Sequence, residues 1–562
     1  MKIEMKIDCS ESGGNMKKMK GSGRGKGIGR GIKEMKVRCM RTNFLKIKVC
    51  INTFMIFCII IIPITFSRAQ QGRKVNDRKN SHPGIYSEKD YNWLQFNFDP
   101  QHSGNNARER KINFQNVNRL HQLFKISLPS IADGAPAYLS NVKTMYGRIN
   151  LLFVTTKDGH IIAVNAANGN IIWSHQYGTG QYTINNGSSP TYTTSSPAID
   201  PNLKFVYSYG LDGYVHKYKV EDGEEIKSGG FPELCTLKPF NEKGSSALAI
   251  ATAKNGTSYL YVANGGYLGD RGDYQGHVTT INLSNGKQKV FNANGSNVSV
   301  HFVERPGEPD CSAVQSAVWA RDGVVYDAAL NRIYFSTGNG PFDPRDHDWG
   351  DAVLAINPDG TGINGNPIDS YTPNNFTELD RRDLDLGSTA PAIIPVPANC
   401  KIKELAVQSG KDKVIRLINL ADLSGHDSPG NTGGEIGKNI KVPSGDMVFT
   451  TPAVWVNKKD KTSWVFIGTY NGLSAFKLYV DNSGMPYLHL EWKQSEGSSS
   501  PIIANGILYC AVSGNIRALD PASGRLLWSG KNIGGIHWES PIVCNGVLYI
   551  TDESGNLSAF GL

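Results

Sequence analysis

A repeated unit in the C-terminal half of the chain constrains its fold more than any other feature. One copy, residues 500–528, has a Ser-Pro pair followed by short apolar runs, each bounded by Gly, Asn or Asp. The next copy begins at residue 540 and keeps the same order. Short apolar runs separated by such turn residues are typical of a four-stranded antiparallel meander. The unit therefore predicts one small sheet per copy.

Earlier copies can be traced by their opening dipeptides. The eight starts are Ala135-Pro136, Ser196-Pro197, Ser246-Ala247, Ser316-Ala317, Ala390-Pro391, Thr451-Pro452, Ser500-Pro501 and Ser540-Pro541. Their spacing is that of propeller blades, with longer loops in places. We predict an all-β, eight-bladed β-propeller. Seven blades is the alternative, because the third and fourth copies are degraded. Two stacked sandwiches would need strand alternation without a fixed period.

The last copy lacks its fourth strand, and a candidate lies near the other end of the propeller region. Residues 120–126 (Leu-His-Gln-Leu-Phe-Lys-Ile) precede the first full unit and match the pattern of the Gly-x-Leu-Leu-Trp strand. Pairing the first and last blades in one shared sheet removes the open edges that invite aggregation. We therefore expect this segment to complete the last blade.

The charge of the chain is concentrated at its N-terminus. The formal net charge is +9, but residues 1–69 hold 15 Lys/Arg and 4 Asp/Glu, which leaves 44 basic and 46 acidic residues in the rest. A nearly neutral body gives no electrostatic reason to expect a nucleic-acid partner. The content of 61 Gly and only 19% charged residues suits a β-rich soluble protein.

The basic N-terminal region, residues 1–69, reads as a targeting segment. Basic residues precede an apolar run at 49–66, and Ser67-Arg68-Ala69 follows with small residues where a signal peptidase cleaves. A cleaved signal peptide, an uncleaved membrane anchor and a buried core segment remain open. Both membrane readings place the body outside, so we expect a secreted or extracytoplasmic protein touching the membrane only through this segment. Residues 70–91 would be a linker and residues 92–562 a single propeller domain.

The glycosylation sequons and the cysteines are relevant to an extracytoplasmic location. Asn-x-Ser/Thr sequons suit a glycosylated protein and occur at Asn186, Asn255, Asn282, Asn294, Asn297, Asn375 and Asn556. Five cysteines follow Ala69, an odd number, so at least one thiol is free or paired between chains. The chain has no CxxCH sequence and therefore no attached c-type haem.

The repeats resemble those of the pyrroloquinoline-quinone-dependent dehydrogenases. Residues 151–173 match the quinoprotein repeat closely, with Asp-Gly at the turn and a closing Gly-Asn-Ile-Ile-Trp. The repeat also occurs in non-enzymatic propellers, such as the outer-membrane assembly lipoprotein, so by itself it implies only the fold. Residues 316–340 add a non-repeated resemblance to quinoprotein alcohol dehydrogenases, nearest to the polyvinyl-alcohol type.

The resemblance implies roles for four positions. Trp319 would form the floor under the quinone, and Asn339 would bind calcium; a packing tryptophan and a turn asparagine are the alternatives. Residues 383–389 are similar to the segment that supplies the catalytic base, which implies Asp385, with Asp383 in reserve. Lys411 lies where the family places a cation against the quinone oxygens. A solvated acidic loop and a surface lysine are the structural alternatives for these charged residues.

The chain also departs from the family pattern. Tyr267 occupies the position where a Glu completes the calcium shell in methanol-dehydrogenase relatives. Asp270 or Asp273 could supply the anionic oxygen instead, because calcium needs such ligands. The adjacent-cysteine pair of methanol dehydrogenases is absent, as it is from polyvinyl-alcohol-type relatives. Relatives carry cysteines in loops comparable to those of Cys235 and Cys311, which implies a disulfide between these two.

The resemblance as a whole implies an extracytoplasmic dehydrogenase with bound pyrroloquinoline quinone and possible Ca²⁺. It would oxidise a small-molecule or polymeric alcohol or polyol and pass electrons to an external acceptor. The alternative of a different class is a secreted propeller without cofactor that serves as a binding or scaffold module. The Tyr267 departure favours the scaffold, whereas the conjunction of Trp319, Asn339 and Asp385 favours the enzyme.

Overall fold

Eight antiparallel sheets follow one another along the chain and form the blades of a propeller. The computed structural model describes residues 90–177, 195–239, 241–266, 274–298 and 313–562. These residues lie within one compact unit, Tyr86–Leu562. The eight-bladed prediction is confirmed, and the seven-bladed and sandwich alternatives are wrong.

Each blade has four strands in sequence order. Blade 1 comprises Ala137–Thr144, Gly147–Thr155, His160–Asn165 and Ile171–Gln176; blade 2 comprises Ala198–Ile199, Phe205–Tyr209, Tyr214–Lys219 and Glu233–Leu234; blade 3 comprises Ala249–Thr252, Ser258–Gly266, His277–Asn282 and Gln288–Asn292; blade 4 comprises Val325–Asp327, Arg332–Ser336, Val353–Ile356 and Asp369–Tyr371. Blade 5 comprises Ala392–Ile394, Leu405–Gln408, Val414–Asn419 and Ile440–Lys441; blade 6 comprises Ala453–Val456, Ser463–Thr469, Gly472–Val480 and Pro486–Gln494; blade 7 comprises Ile502–Ala504, Ile507–Val512, Asn515–Leu519 and Leu526–Lys531. Blade 8 comprises Ile542–Cys544, Val547–Asp552, Asn556–Gly561 and, from the other end of the propeller, His121–Ser127.

Short elements decorate this frame. Asn105–Asn106 adds to blade 7 in parallel, Glu242–Lys243 extends blade 3, and Phe342–Asp343 pairs with Asp348–Trp349. The described residues contain one α-helix, Phe376–Arg382, and two 3₁₀ turns, Val117–Arg119 and Leu386–Ser388.

Turn chemistry sets the register of the blades. In blade 7, Ala504 pairs with Ile507 across Asn505 and Gly506, whose φ angles are 48° and 75°. Two positive φ values in a two-residue hairpin are the geometry for which Asn-Gly is the preferred sequence. Blade 8 repeats the device with Asn545-Gly546. These Asn-Gly turns therefore fix where the first and second strands of both blades end and begin.

The core lies within and between the blades. Strands such as Ile502–Ala504 and Ile542–Cys544, the first of their blades, are fully buried, and first strands of neighbouring blades contact one another. Outer strands have one exposed face: His121–Ser127 alternates strictly between exposed and half-buried residues. Continuous burial inside and alternation outside is the pattern of sheets packed face to face around an axis.

The closure of the ring is as predicted. Residues His121–Ser127 pair antiparallel with Asn556–Gly561 and form the outermost strand of blade 8. The junction is reinforced from blade 7, because Trp528 Nε1 donates to the Leu120 carbonyl at 2.8 Å. The half-buried side chains of Phe124 and Ile126 pack on the main hydrophobic cluster.

Strand direction brings two sets of loops to one face of the propeller. In a four-stranded meander, the connection into each blade and the hairpin between its second and third strands lie at the same end. We call this end the entry face. The helix Phe376–Arg382 and the residues at 383–389 belong to the connection into blade 5 and so lie on this face.

The N-terminal predictions on residues 1–69, including the apolar run at 49–66, lie outside the described residues. Among the residues that the structure describes, no helix is long and apolar enough to cross a membrane. The expected Cys235–Cys311 disulfide is wrong for Cys235, which is a free thiol. Its side chain is buried in the hydrophobic cluster of blade 2, whereas Cys311 lies outside the described residues.

Candidate active site

Four predicted residues come together on the entry face at blades 4 and 5. Trp319 and Asp385 lie in the connections into these blades, and Asn339 and Lys411 follow their second strands. Trp319 and Asp385 thus occupy equivalent places in two neighbouring repeats, and so do Asn339 and Lys411. The fold brings together residues that are far apart in sequence because these loops lie at the same end of neighbouring blades.

An ion pair joins Asp385 and Lys411. Lys411 Nζ lies 2.7 Å from Asp385 Oδ2 and also 2.7 Å from Asp383 Oδ1. Burial lowers the pKa of Lys411, but the carboxylates of Asp385 and Asp383 outweigh burial and raise it overall. The side chain of Asp385 is 5% exposed and that of Asp383 is 68% exposed. Asp385 is therefore the acid inside the site, and Asp383 lies at its rim.

Asn339 is held in one orientation. Its backbone N–H donates to Asp385 Oδ1 at 2.9 Å, and its Nδ2 donates to the carbonyls of Leu379 and Asp380 at 3.0 and 2.9 Å. The amide nitrogen is thereby committed to the helix. The amide oxygen is buried and has no hydrogen-bond partner among the described residues. A buried, unpartnered carbonyl oxygen beside a carboxylate is an arrangement that suits a hard cation.

The indole ring of Trp319 lies against charged and aromatic neighbours. Lys411 Nζ lies 5.2 Å from its ring centroid, within cation–π range. The rings of Phe449 and Trp538 lie 6.0 and 6.1 Å from it. Gly338 separates the indole from the acid: a Cβ there would lie 3.1 Å from Trp319 Nε1 and 3.3 Å from Asp385 Cγ. The Trp319 indole and the Asp385 carboxyl group therefore both lie beside Gly338.

The structure adds a carboxyl group that the sequence analysis missed. Asp351 Oδ1 accepts from the Leu386 N–H at 2.9 Å, and Oδ2 is buried without a hydrogen-bond partner. Burial, and next the charge of Asp385, raise the pKa of Asp351 to about 8. Asp351 is therefore largely protonated at neutral pH, whereas a cation placed nearby would favour its ionised form.

An open cavity of about 670 Å³ extends from Trp319 across blades 6, 7 and 8. Its walls are mostly carbon, with serine, threonine and asparagine side chains between the apolar ones. The larger apolar side chains are Trp319, Met447, Phe449, Tyr470, Ile536 and Trp538. The cavity and the Asp385–Lys411 pair meet at the Trp319 ring.

A second charged cluster lies where blades 8 and 1 adjoin. Lys157 Nζ lies 3.0 Å from Glu553 Oε1 and 3.4 Å from Asp133 Oδ2. His537 completes the cluster, with Nδ1 3.7 Å from Asp133 Oδ2. The ligand atoms of the two acids and His537 are close enough to hold a metal ion. The Lys157 ammonium already lies among the carboxylates, so the cluster is an ion-pair network.

Two candidate calcium ligands cannot be placed. Asp270 and Asp273 lie outside the described residues. The same is true of Tyr267, the residue that departs from the family pattern. Among the described residues, the oxygen atoms near Asp385 that could face a cation are its own carboxylate, the amide oxygen of Asn339 and the carboxyl group of Asp351.

The residues that the sequence analysis missed share two positions in the repeat. Phe449 and Trp538 come one or two residues before a unit start, and Asp133 likewise precedes the first unit. Lys157, Tyr470 and Glu553 lie in the turn between the second and third strands of their blades, as Lys411 does.

Comparisons with known proteins agree with this architecture. Residues 132–232 match the family described as outer membrane protein assembly factor BamB. A protein of that name from Moranella endobia is 37% identical over 62 residues, which cover 11% of this chain and 15% of that protein. This alignment therefore spans only a small part of either protein.

Solved structures match over much more of the chain. A europium-containing methanol dehydrogenase aligns with a TM-score of 0.59 and 13% identity, covering 84% of this chain and 98% of its own. Quinohemoprotein alcohol dehydrogenases from Pseudomonas putida HK5 and Comamonas testosteroni give TM-scores of 0.59 and 0.56, at 13% and 14% identity, with 84% of this chain and 80% of theirs covered.

The fold thus defines the class: this chain is an eight-bladed β-propeller. Its fold is similar to those of the methanol dehydrogenase and the quinohemoprotein alcohol dehydrogenases named above.

Proposed function

We propose that this protein is an extracytoplasmic dehydrogenase that oxidises an alcohol or polyol with bound pyrroloquinoline quinone. The observation that carries the proposal is the contact of Trp319, Asn339, Asp385 and Lys411 at one point on the entry face. A shared fold alone would not require an ion-paired acid, an orphaned amide oxygen and an aromatic face to meet.

The residues present fit a planar, anionic quinone and a hard cation. The Trp319 ring offers a face for stacking at the edge of the cavity. Lys411 offers a positive charge above that ring. Asn339 Oδ1 and the Asp385 carboxylate would hold Ca²⁺, with Asp270 or Asp273 as further candidates; the calcium would supply positive charge that polarises a bound oxygen.

Asp385 would act as the general base. A bound ortho-quinone supplies the acceptor for the hydride that leaves the carbinol carbon. Asp385 accepts the hydroxyl proton at its carboxylate, which the Asn339 N–H and the Lys411 ammonium group hold in place. Lys411 also offsets negative charge that develops on the oxygens nearby. The apolar walls around Trp319 restrict water at the reacting carbon.

The proposal also includes an extracytoplasmic location for the protein and an external electron acceptor. The apolar run at 49–66 with its basic flank supports export or anchoring of the body outside the cytoplasm. Electrons would pass to an external acceptor, because the sequence offers no attachment motif for a c-type haem. The membership in the polyvinyl-alcohol type remains part of this proposal.

One observation favours a second candidate, a propeller that binds or scaffolds other molecules without a cofactor. Both oxygens of Asp385 already have partners within the chain, in the Asn339 N–H and Lys411. The family matched by residues 132–232 is, moreover, described as an assembly factor. A carboxylate whose two oxygens already have partners within the chain is stable without a ligand.

Reconstitution separates the two candidates. The purified chain is incubated with pyrroloquinoline quinone and calcium chloride, and reduction of an artificial dye is followed with a panel of primary and secondary alcohols. The dehydrogenase proposal expects alcohol-dependent dye reduction that requires the quinone. Protein that binds no quinone and reduces no dye with any alcohol would leave the scaffold as the better account.

A further inference from the structure

The 670 Å³ cavity beside Trp319 has a composition that restricts what it can bind. None of its lining residues is Asp, Glu, Lys or Arg, and His537 is the one ionisable side chain besides the Tyr470 phenol. The charged groups of the site, Asp385 and Lys411, are not among the lining residues. A ligand that carried a charge within this cavity, away from Lys411, would lose the hydration of that charge without gaining a counter-ion.

The volume of the cavity also indicates the size of the ligand that would fill it. Pockets of roughly 300–1,000 Å³ enclose ligands of drug-like size. A cavity of about 670 Å³ is much larger than a one- or two-carbon alcohol needs. Such a small alcohol would leave most of the apolar wall in contact with water, so it would gain little from binding.

Tyr470 is placed at the cavity as an exposed aromatic on a fixed turn. Its side chain is 87% exposed, although it belongs to the lining. The turn is anchored on both sides: Asn471 N donates to Asp446 Oδ2 at 2.8 Å, and Ser498 N donates to the Thr469 carbonyl at 2.9 Å. A Cβ on Gly497 would lie 2.1 Å from the Tyr470 carbonyl oxygen, so this glycine permits the close contact.

We infer that this cavity binds the carbon skeleton of an uncharged, bulky apolar or aromatic alcohol, and that Tyr470 packs on the outer part of that skeleton. The inference rests on the proposed function and names its substrate class. Trp319, Phe449 and Trp538 would enclose the inner part of the skeleton, nearest to Asp385. Tyr470 would thus determine specificity by size without touching the reacting carbon.

Binding to the quinone-free protein tests the inference without any turnover. Isothermal titration calorimetry is run with cinnamyl alcohol, ethanol and cinnamate, which carries the same skeleton with a negative charge. We expect cinnamyl alcohol to bind at least about tenfold more tightly than either of the other two. Equal affinity for ethanol, or tighter binding of cinnamate, would overturn the inference.

Three variants locate the contact. Tyr470→Ala should weaken cinnamyl alcohol binding by about three- to tenfold, and Tyr470→Phe should restore it. Tyr146→Ala is the matched control, because Tyr146 is also an exposed turn tyrosine, 62% exposed, in the first hairpin of blade 1. Unchanged binding in Tyr470→Ala, or an equal loss in Tyr146→Ala, would show that Tyr470 has no such role.

Turnover then separates this inference from the function on which it rests. In quinone-loaded protein, Tyr470→Ala should lower kcat/KM for cinnamyl alcohol by about three- to tenfold and leave that for ethanol unchanged. If the calorimetric results hold but no alcohol is oxidised, the proposed oxidation fails and the binding site stands. If alcohols are oxidised but the variant lowers both kcat/KM values equally, the inference fails and the oxidation stands.

Discussion

The ammonium nitrogen of Lys411 lies 2.7 Å from the Oδ2 atom of Asp385, on the entry face of the propeller. The two groups stabilise each other's charged forms: the carboxylate raises the pKa of the lysine despite its partial burial. The Asn339 N–H holds the other carboxylate oxygen at 2.9 Å. This geometry keeps one ionised acid in a fixed position beside an aromatic ring, which is what proton abstraction from an alcohol requires.

The first prediction follows from that position. Asp385→Asn keeps the shape and the contact to the Asn339 N–H but cannot accept a proton, so turnover should fall by about two to four powers of ten. Quinone affinity should change little. Asp383→Asn is the matched control, because Asp383 also bonds Lys411 but its side chain is 68% exposed. Steady-state kinetics of both variants decide the assignment: a large loss in the control alone would make Asp383 the base.

Gly338 gives a second test of the same contact. A Cβ at this position would lie 3.1 Å from Trp319 Nε1 and 3.3 Å from Asp385 Cγ. Gly338→Ala should therefore push the ring and the acid apart and lower kcat by about ten- to a hundredfold. The melting temperature should change by only a few degrees, since the added methyl group displaces side chains at a cavity. Wild-type kcat in this variant would show that the close contact has no part in turnover.

The sequence was sufficient for the fold and for part of the site. The eight unit starts and the apolar runs bounded by Gly, Asn or Asp predicted the blades, because local turn chemistry determines where each strand ends. Trp319, Asn339, Asp385 and Lys411 were predicted because they lie in non-repeated stretches that resemble a known family. These four residues meet at one point in the structure, and their roles stay predictions.

Other site residues could not be predicted from local pattern. Trp538 contacts Trp319 from the connection into blade 8. Asp351, which lies just before the third strand of blade 4, accepts a hydrogen bond from the Leu386 N–H in the Asp385 loop. These contacts depend on how the ring closes and on how neighbouring blades pack, which a single-sequence reading does not give. The charged cluster of Lys157, Asp133 and Glu553 likewise exists only where blade 8 adjoins blade 1.

The closure of the ring leads to a third prediction. His121–Ser127 is the outer strand of blade 8, so its loss would expose a strand edge and apolar surface on blade 8. A chain that lacks residues 1–130 should aggregate, whereas the control that lacks only residues 1–89 should remain soluble and unaggregated. Size-exclusion chromatography with light scattering distinguishes the two. An unaggregated shorter chain with an unchanged melting temperature would contradict the structural role of this strand.

A buried acid far from the site gives a fourth prediction, on stability. Glu233 is 4% exposed, and burial raises its pKa from 4.5 to about 7, although Gln288 Nε2 donates to it at 3.0 Å. Between about pH 4.5 and 7 the unfolded chain loses this proton and the folded chain keeps it, so this residue's contribution to stability falls as pH rises through that window.

Glu233→Gln removes this cost and keeps a partner for Gln288. The melting temperature of the variant should gain on that of the wild type from pH 4.5 to 7 and keep a constant lead above pH 7, equivalent to at most about 3 kcal/mol. Thermal melts across pH in identical ionic strength check the curve. A gap that does not change with pH would mean that Glu233 ionises normally in the folded protein.

The most direct test of the account is a calorimetric titration of pyrroloquinoline quinone into the wild-type chain in calcium buffer, beside the Trp319→Ala variant. The account predicts binding of one quinone per chain, weakened by about tenfold in Trp319→Ala because the stacking face is removed. The variant should melt close to the wild type, so that the loss reports on the ring itself. Absence of quinone binding by the wild-type chain at millimolar concentration, or equal binding by both chains, would contradict the account.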